Sequence, residues 1–310
     1  MPERQHDVPI HSGLFRLDRR FATVLTPQDF RSMSCPSKLQ AVIVNFRTPQ
    51  LTIRCIQSML EHRVVDRDGV LVVDNCSGDN SLEEIRKALP DIRTIATDRN
   101  GGFGAGVNLG VAKTTADYLL ILNPDTYFEF NSVAAVVDYM ERHPETALVG
   151  MDLVNPDGSR QYSARRFYSV FDVLARRVDW IGSMVPQRGK KHLMMDAWDT
   201  GEPFDAEWVM GTGFVVRRSA FEQIEGMDES YFLYMEDVDL CARLWRAGHK
   251  IKGMPGAKLV HDHQRSSAAG PLTFAGRTHI HSLLLFRSRF SVPLFRPPGV
   301  GKIVKRKAQH

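Results

Sequence analysis

Residues Leu39-Gln40-Ala41-Val42-Ile43-Val44-Asn45-Phe46-Arg47-Thr48-Pro49 carry the pattern that decides the fold. Ala41–Val44 is an apolar run without polar alternation, the mark of a short strand buried on both faces, and it stops at Asn45 through Pro49. Beyond the proline, Leu51, Ile53, Ile56, Met59 and Leu60 recur at helical spacing. The same unit then repeats. Val70-Leu71-Val72-Val73 is a second buried strand ending at Asp74-Asn75, and Ser77-Gly78-Asp79 turns the chain. Ser81 is expected to cap a helix over residues 82–89, with Glu84 closing a capping box. Ile92–Ile95 is a third strand, a glycine-rich segment from Asn100 to Gly110 opens another helix, and Tyr118–Leu122 is a fourth strand stopped by Asn123-Pro124-Asp125. Unalternating strands separated by helices predict an α/β fold: a mostly parallel central sheet flanked by helices. In such sheets ligands bind beyond the carboxyl ends of the strands, where this chain places Asn45, Asp74-Asn75 and Asn123-Pro124-Asp125.

The remainder of the 310 residues is less regular. Residues 1–38 show no sustained period and read as an N-terminal extension. Residues 155–205 are rich in Arg, Asp, Pro and Gly and predict a long loop with short helices. Val209–Val216 is strand-like although broken by Gly211 and Gly213, Asp237–Ala247 is a helix ended by Gly248, and Lys258–Val260 is a last strand leading to His261. The expected division is an extension (1–38), one main domain (39–267, with halves 39–126 and 127–267) and a C-terminal tail (268–310). With 43% apolar and 25% charged residues the chain has the balance of a folded globular protein. The longest apolar run, about Tyr118–Leu122, is far short of the ~18 residues of a membrane helix. The start, with charges of both signs in Met1–Asp7, does not read as a secretory signal. Cys35, Cys55, Cys76 and Cys241 form no CxxC pair, which disfavours a zinc knuckle or redox dithiol and suits reduced thiols in the cytoplasm.

The net charge of +4 is unevenly spread, because nine Lys/Arg and no acidic residue follow Asp262. Interleaved with Leu283-Leu284-Leu285-Phe286, Phe290, Leu294 and Phe295, these basic groups suit an anionic membrane surface, or equally a solvated basic end. A peripheral position on the inner face of the membrane is the corresponding expectation. Nucleic acid is not expected as a partner, since the basic groups do not extend over the body of the chain.

Asp74, Asp125, Glu236, Asp237 and His261 are the groups that can do chemistry. A carboxylate held after a proline-fixed turn could bind a divalent ion bridging a diphosphate, since Mg²⁺ commonly takes one or two protein carboxylates with phosphate and water. Spacing alone favours a turn aspartate bonded to its own backbone. Glu236 and Asp237 begin a helix, where the dipole stabilises acids, and either could be a general base. His261, with His263 as its rival, is a metal ligand or an ordinary polar group. The run Asn100-Gly101-Gly102-Phe103-Gly104-Ala105-Gly106 could offer N–H groups to phosphate, but Val107 and Leu109 break the dinucleotide register and the run follows the third strand.

In order along the chain, several stretches together resemble the inverting family-2 glycosyltransferases, particularly their rhamnosyltransferase-like branch. They are Val42–Phe46, Val73–Ser77, Asn100–Gly104, Asn108, Leu122–Thr126, Gly211–Phe214, Arg217-Arg218, Gly226–Glu229, Tyr234–Leu240, His261 and Ser266-Ser267. The resemblance spans roughly residues 40–267 and implies a single GT-A-like nucleotide-diphospho-sugar transferase domain. It implies Asp74 at the base, Asn123 at the ribose and Asp125 on a Mg²⁺ or Mn²⁺ that bridges the diphosphate, with His261 a second ligand. Asn45, Asn75, Asn100, Gly102, Asn108 and Gly213 complete the implied nucleotide-sugar site. Asp237 is the implied base, with Glu236 its alternative. The first position of the family's Asp-x-Asp is Asn123 here, which leaves Asp125 as the motif's one carboxylate. Implied partners are deoxythymidine-diphosphate rhamnose, then uridine-diphosphate sugars, and a glycan or lipid-linked glycan acceptor of cell-surface polysaccharide synthesis. Two rivals are a non-catalytic nucleotide- or sugar-binding module and a sugar-1-phosphate nucleotidyltransferase. The second needs a glycine-rich loop after the first strand, and Asn45–Pro49 has no glycine.

Overall fold

A computed structural model describes residues 38–172, 186–262 and 273–305. The expected N-terminal extension apart from Lys38, and with it His263 and Ser266-Ser267, lie outside the described residues. The main sheet uses β1 (Leu39–Asn45), β2 (Val70–Asp74), β3 (Arg93–Ala96), β4 (Tyr118–Leu122), β5 (Thr126–Tyr127), β6 (Thr146–Val154), β10 (Gly213–Arg217) and β11 (Lys250–His261), in the order β3-β2-β1-β4-β10-β6-β11-β5. A short β8 (Phe204–Asp205) adds to β11, and β7 (Ala164–Arg165) pairs separately with β9 (Trp208–Val209). The contacts of β1 with β2 and β4, of β2 with β3, and of β6 with β11 are parallel. β10 runs antiparallel between β4 and β6, so its first residue, Gly213, sits opposite the last residue of β4, Leu122.

The unalternating strands have the physical reason expected of them. Along β1, Val42 and Val44 enter one core cluster while Ala41 and Ile43 enter another, one on each face of the sheet. Helix α1 (Pro49–Glu61) covers the second face with Ile53, Ile56 and Met59, and begins with proline near its start, where no N–H is lost. Helix α2 (Ser81–Ala88) departs from the expected capping box. Ser81 is its first residue, its buried Oγ lacks a hydrogen-bond partner, and Asp79 Oδ1 accepts from the Ser81 N–H at 2.9 Å instead. Helix α3 (Phe103–Ala112) packs Val107 and Val111 beneath β1 and β2, with Gly106 and Gly110 letting it approach Val44 and Val42 closely.

β6 and helix α4 (Val133–Arg142) are not among the elements picked out by the sequence reading. Gly150 and Asp152 interrupt the apolar run of β6, yet all nine residues are buried. Asp152 is tolerated there because Arg160 closes on it with two bonds of 2.8 and 3.1 Å and Gly256 N–H donates at 3.0 Å. β11 is also far longer than the three residues expected of it. Two short helices, α5 (Pro186–His192) and α6 (Met195–Trp198), interrupt the irregular region, and α7 (Arg218–Gln223) follows β10. The helix expected at Asp237 is α8 (Glu236–Arg246).

The segment expected as a basic tail holds α9 (Phe274–Arg289) and α10 (Val300–Ile303), and part of it belongs to the core. Phe286, Phe290, Val292 and Ile303 are buried in the same cluster as α8. Arg289 pairs with Asp228 and lies over the Tyr231 ring, and Ser282 Oγ donates to Leu233 O at 3.0 Å. Thus α9 braces the segment that leads into Glu236.

Candidate active site

Strand register aligns the ends of β1 and β2 by pairing Asn45 with Asp74. The two side chains bond directly: Asn45 Nδ2 donates to Asp74 Oδ1 at 2.7 Å. Asn45 Oδ1 accepts from Thr52 Oγ1 at 2.9 Å and from the Thr48 N–H, tying the strand end to the start of α1. The Asp74 carboxylate also accepts from Ser77 Oγ and Ser77 N–H at 2.6 and 3.1 Å. Both residues are buried, and their hydrogen bonds build the floor of the cleft. Next to it Phe46 is 41% exposed with the Arg47 guanidinium over its ring, an aromatic face the sequence reading does not single out.

Asn75 joins this floor to the glycine-rich loop. Its Nδ2 donates to Asn100 Oδ1 at 3.0 Å and Gly102 O at 2.9 Å, and Asn100 Oδ1 also accepts from the Gly102 N–H. Gly102 has φ +90°, and a Cβ there would stand 2.2 Å from Phe232 O, so only glycine lets the two backbones touch. Asn108 is further along α3. Its carboxamide exchanges bonds of 2.8 and 2.9 Å with the backbone of Met227, imitating a strand pairing, and also reaches Glu229. These bonds give Asn108 a holding role on the 226–229 loop.

On the other side of β1, the turn after β4 carries Asn123 and Asp125. Asn123 N–H donates to Thr212 O at 2.9 Å, stitching the turn to the residues before β10. Three residues on, β5 pairs Thr126 with His261, which sets His261 against Asp125: Nε2 and Oδ2 are 3.3 Å apart. The other Asp125 oxygen, Oδ1, is buried and has no hydrogen-bond partner. His261 Nδ1 lies 2.7 Å from Gln161 Oε1. Among the described residues no three His, Cys, Asp or Glu side chains gather as a complete metal cage. One carboxylate with an orphaned oxygen and one imidazole nitrogen fit a divalent cation whose other positions go to phosphate and water. Gly213 has a packing role, since a Cβ would come within 2.3 Å of Leu259 Cδ2. Its neighbour Gly211, absent from the expected set, reaches the acids.

Gly211 N–H donates to Asp237 Oδ2 at 2.9 Å, and Asp237 Oδ1 accepts from the Val238 N–H at 2.8 Å. The Asn123–Thr212 and Gly211–Asp237 bonds therefore join the Asp125 turn to the acid helix through two adjacent residues of one loop. The backbone at this junction is unusual: Tyr234 and Met235, just before α8, hold φ of +66° and +72°. Strain of this kind in non-glycine residues marks a site where position is fixed by function. Glu236 is buried, with Oε2 unpartnered. Burial, and secondarily the Asp237 charge, push its carboxyl up to about 8. Burial also raises Asp237, opposed by the Gly211 and Val238 N–H groups and by Arg165. The arrangement is a hydrogen-bonded floor at the strand ends, a carboxylate–imidazole pair at Asp125 and His261, and a half-buried, hydrogen-bonded carboxylate at Asp237.

A family model described as glycosyl transferase family 2 matches residues 41–225, more than half of the chain. The chain belongs to glycosyl transferase family 2. A second model, described as N-terminal domain of galactosyltransferase, matches residues 191–264 and so takes in the acid helix and His261. This transferase is 30% identical over 247 residues to an N-acetylglucosaminyl-diphospho-decaprenol L-rhamnosyltransferase of Mycobacterium tuberculosis, covering 72% of this chain and 75% of that one. It is 28% identical over 169 residues to the rhamnosyltransferase WbbL of Escherichia coli, covering 52% of this chain and 60% of that one. In fold it is similar to GalNAc-T7 solved with UDP, GalNAc and Mn²⁺ (TM-score 0.57, 15% identity), covering 80% of this chain and 47% of that one. It is also similar to the mannosyltransferase PcManGT of Pyrobaculum calidifontis in complex with GDP-Man and Mn²⁺ (TM-score 0.52, 15% identity), covering 77% of this chain and 64% of that one. The chain thus spans about half to two thirds of those structural neighbours, which share the GT-A-like fold.

The raised Glu236 has a consequence for the transferase that can be read without substrate. The folded state holds this proton up to about pH 8, whereas the unfolded chain releases it near the ordinary value of 4.5. Stability therefore falls as pH rises through that window. Glu236→Gln is expected to flatten the decline of Tm between pH 5 and pH 8, measured by thermal melts; an unchanged slope would assign the decline to other groups.

Proposed function

We propose that this transferase moves rhamnose from deoxythymidine-diphosphate rhamnose to a hydroxyl of a lipid-linked glycan, with inversion at the anomeric carbon. The observation that carries the reading is the short path, through Asn123, Thr212 and Gly211, between the cation position at Asp125 and the half-buried carboxylate of Asp237. The relatives named as rhamnosyltransferases support the sugar, and the decaprenol-linked substrate in one of their names supports the acceptor class. The two structural neighbours solved with Mn²⁺ support a divalent ion.

Asp125 and His261 would hold that ion, which when bound supplies Lewis-acid stabilisation of the leaving diphosphate. The other roles fall to the chain. Asp74 and Asn75 shape the floor for the nucleoside, and the exposed Phe46 ring offers it an apolar face. Asp237, held by two N–H groups, takes the proton of the acceptor hydroxyl as its oxygen attacks the anomeric carbon. The bond to the diphosphate breaks in the same displacement, so no covalent enzyme intermediate is needed. Calorimetric titration with thymidine, uridine and guanosine diphosphates, with and without Mn²⁺ or Mg²⁺, tests the reading. Metal-dependent binding of thymidine diphosphate that is lost in Asp125→Ala is expected. Preference for uridine diphosphate would overturn the donor, and binding of none by folded protein would favour a non-catalytic module.

The acceptor reading extends to the surface. No helix among the described residues is long and apolar enough to cross a membrane. Helix α9 instead exposes Phe274 (65%), Ile280 (46%) and Leu284 (59%) alongside Arg277, while Phe286 and Phe290 on its other side are buried. That apolar and basic face suits an anionic bilayer bearing the acceptor. Ile280→Glu with Leu284→Glu is expected to weaken sedimentation with phosphatidylglycerol vesicles at low salt without lowering Tm; undiminished sedimentation would remove the membrane from the proposal.

A further inference from the structure

Behind the cation position is a polar chain whose direction is fixed at every link. Asp157 Oδ1 accepts from Ser159 Oγ at 2.6 Å, which leaves the Ser159 oxygen to accept from Asn155 Nδ2 at 2.8 Å. Asn155 Oδ1 in turn accepts from Gln161 Nε2 at 2.6 Å, and the same Nε2 donates to His261 O at 2.9 Å. With its nitrogen committed to two acceptors, Gln161 must present Oε1 to the imidazole, 2.7 Å from Nδ1. A carboxamide oxygen can only accept, so Nδ1 carries the hydrogen. In the neutral ring Nε2 then carries no hydrogen, and its lone pair lies 3.3 Å from an Asp125 oxygen. Two electron-rich atoms facing each other at that distance are arranged for a positive charge between them.

We propose that Gln161 is the positioning residue that locks His261 in its Nδ1–H tautomer and so presents Nε2 to a divalent cation. The inference rests on the cation reading of Asp125 and His261 given above and adds the element that orients the imidazole. Histidines that bind metals commonly donate their second nitrogen to such a partner, and its loss typically costs 10–100-fold in metal affinity. Nothing in the spacing of Gln161 marks it in the sequence. It is brought to His261 by the turn after β6, which folds the chain back on the end of β6 beside β11, a separation of 100 residues.

The test uses two measurements on the full chain, neither of which is activity. Long-range ¹H–¹⁵N spectra of the metal-free protein at alkaline pH read the tautomer directly, and electron paramagnetic resonance titration with Mn²⁺ in the presence of thymidine diphosphate reads cation affinity. Wild type is expected to show the Nδ1–H form. Gln161→Leu is expected to populate the Nε2–H form and to weaken Mn²⁺ by about tenfold or more. Gln161→Glu keeps an acceptor and is expected to restore the tautomer. Asn155→Ala, which leaves Gln161 in place but frees it to rotate, covers the case in which Gln161→Leu does not fold, and is expected to weaken Mn²⁺ to a smaller degree. An Nε2–H tautomer in wild type, or unchanged Mn²⁺ affinity in folded Gln161→Leu or Asn155→Ala, overturns the proposal. Absence of Mn²⁺ binding by wild type with the Nδ1–H tautomer intact would overturn the cation reading and leave the orienting role of Gln161 standing.

Discussion

Asp237→Asn is expected to lower turnover by about 10²–10⁴-fold, the contribution typical of a positioned general base. The substitution keeps the size of the side chain and can retain the bond from the Gly211 N–H through its amide oxygen, so the loop should stay in place. Binding of nucleoside diphosphate should be nearly unchanged, because the Asp74 and Asp125 regions are reached by other contacts. Rapid-quench turnover and calorimetry on the same variant separate the two effects. Glu236→Gln is the control: its carboxyl is already held protonated up to about pH 8, so it should retain more turnover at neutral pH than Asp237→Asn. The opposite ranking would move the base to Glu236.

The second large effect is expected at Gly102. Alanine there would place a methyl group 2.2 Å from Phe232 O and would hold φ near +90°, a region that side-chain-bearing residues avoid. Backbone strain and overpacking each cost about 1–3 kcal/mol, so Gly102→Ala should destabilise the fold by about 2–6 kcal/mol. Relief by moving Phe232 would displace the segment running into Tyr234, Met235 and Glu236, so the folded fraction should also turn over slowly. Chemical denaturation and turnover normalised to folded protein check both. Wild-type stability would show that the 232–235 segment yields freely.

Much of this was readable from residues alone, for a definite reason. Strands covered on both faces leave apolar runs that need no partner to be recognised, as in Ala41–Val44 and Val70–Val73, and the polar residues ending them mark the working edge of the sheet. Asp125, His261, Glu236 and Asp237 are candidates by residue type, but spacing alone favours ordinary turn and helix-start roles, and it is the family resemblance that singles them out. What the sequence does not reveal is how the side chains divide their hydrogen bonds. Asn45 and Asn108 look like ligand contacts, yet their carboxamides are occupied by Asp74, Thr52 and Met227. Gly213 is accounted for by Leu259, whereas Gly211, not among the expected site residues, touches the acid. Gln161 emerges only when β6 and β11 lie side by side. The C-terminal segment misleads for a related reason: its charges suggest a separate tail, while Phe286 and Phe290 enter a core cluster supplied largely by residues far earlier in the chain.

The contact of helix α9 with the loop before Glu236 also orders events during synthesis. Arg289 reaches Asp228, Ser282 reaches Leu233, and Phe290 packs beneath Arg246, whereas the floor of the cleft is complete once Asp74 and Asn75 have met the loop at Asn100. The residues that brace the loop before Glu236 are therefore among the last of the fold to leave the ribosome. Loss of helix α9 would be felt first at α8, some distance away in sequence, rather than at the strand ends that carry Asn45 and Asp74.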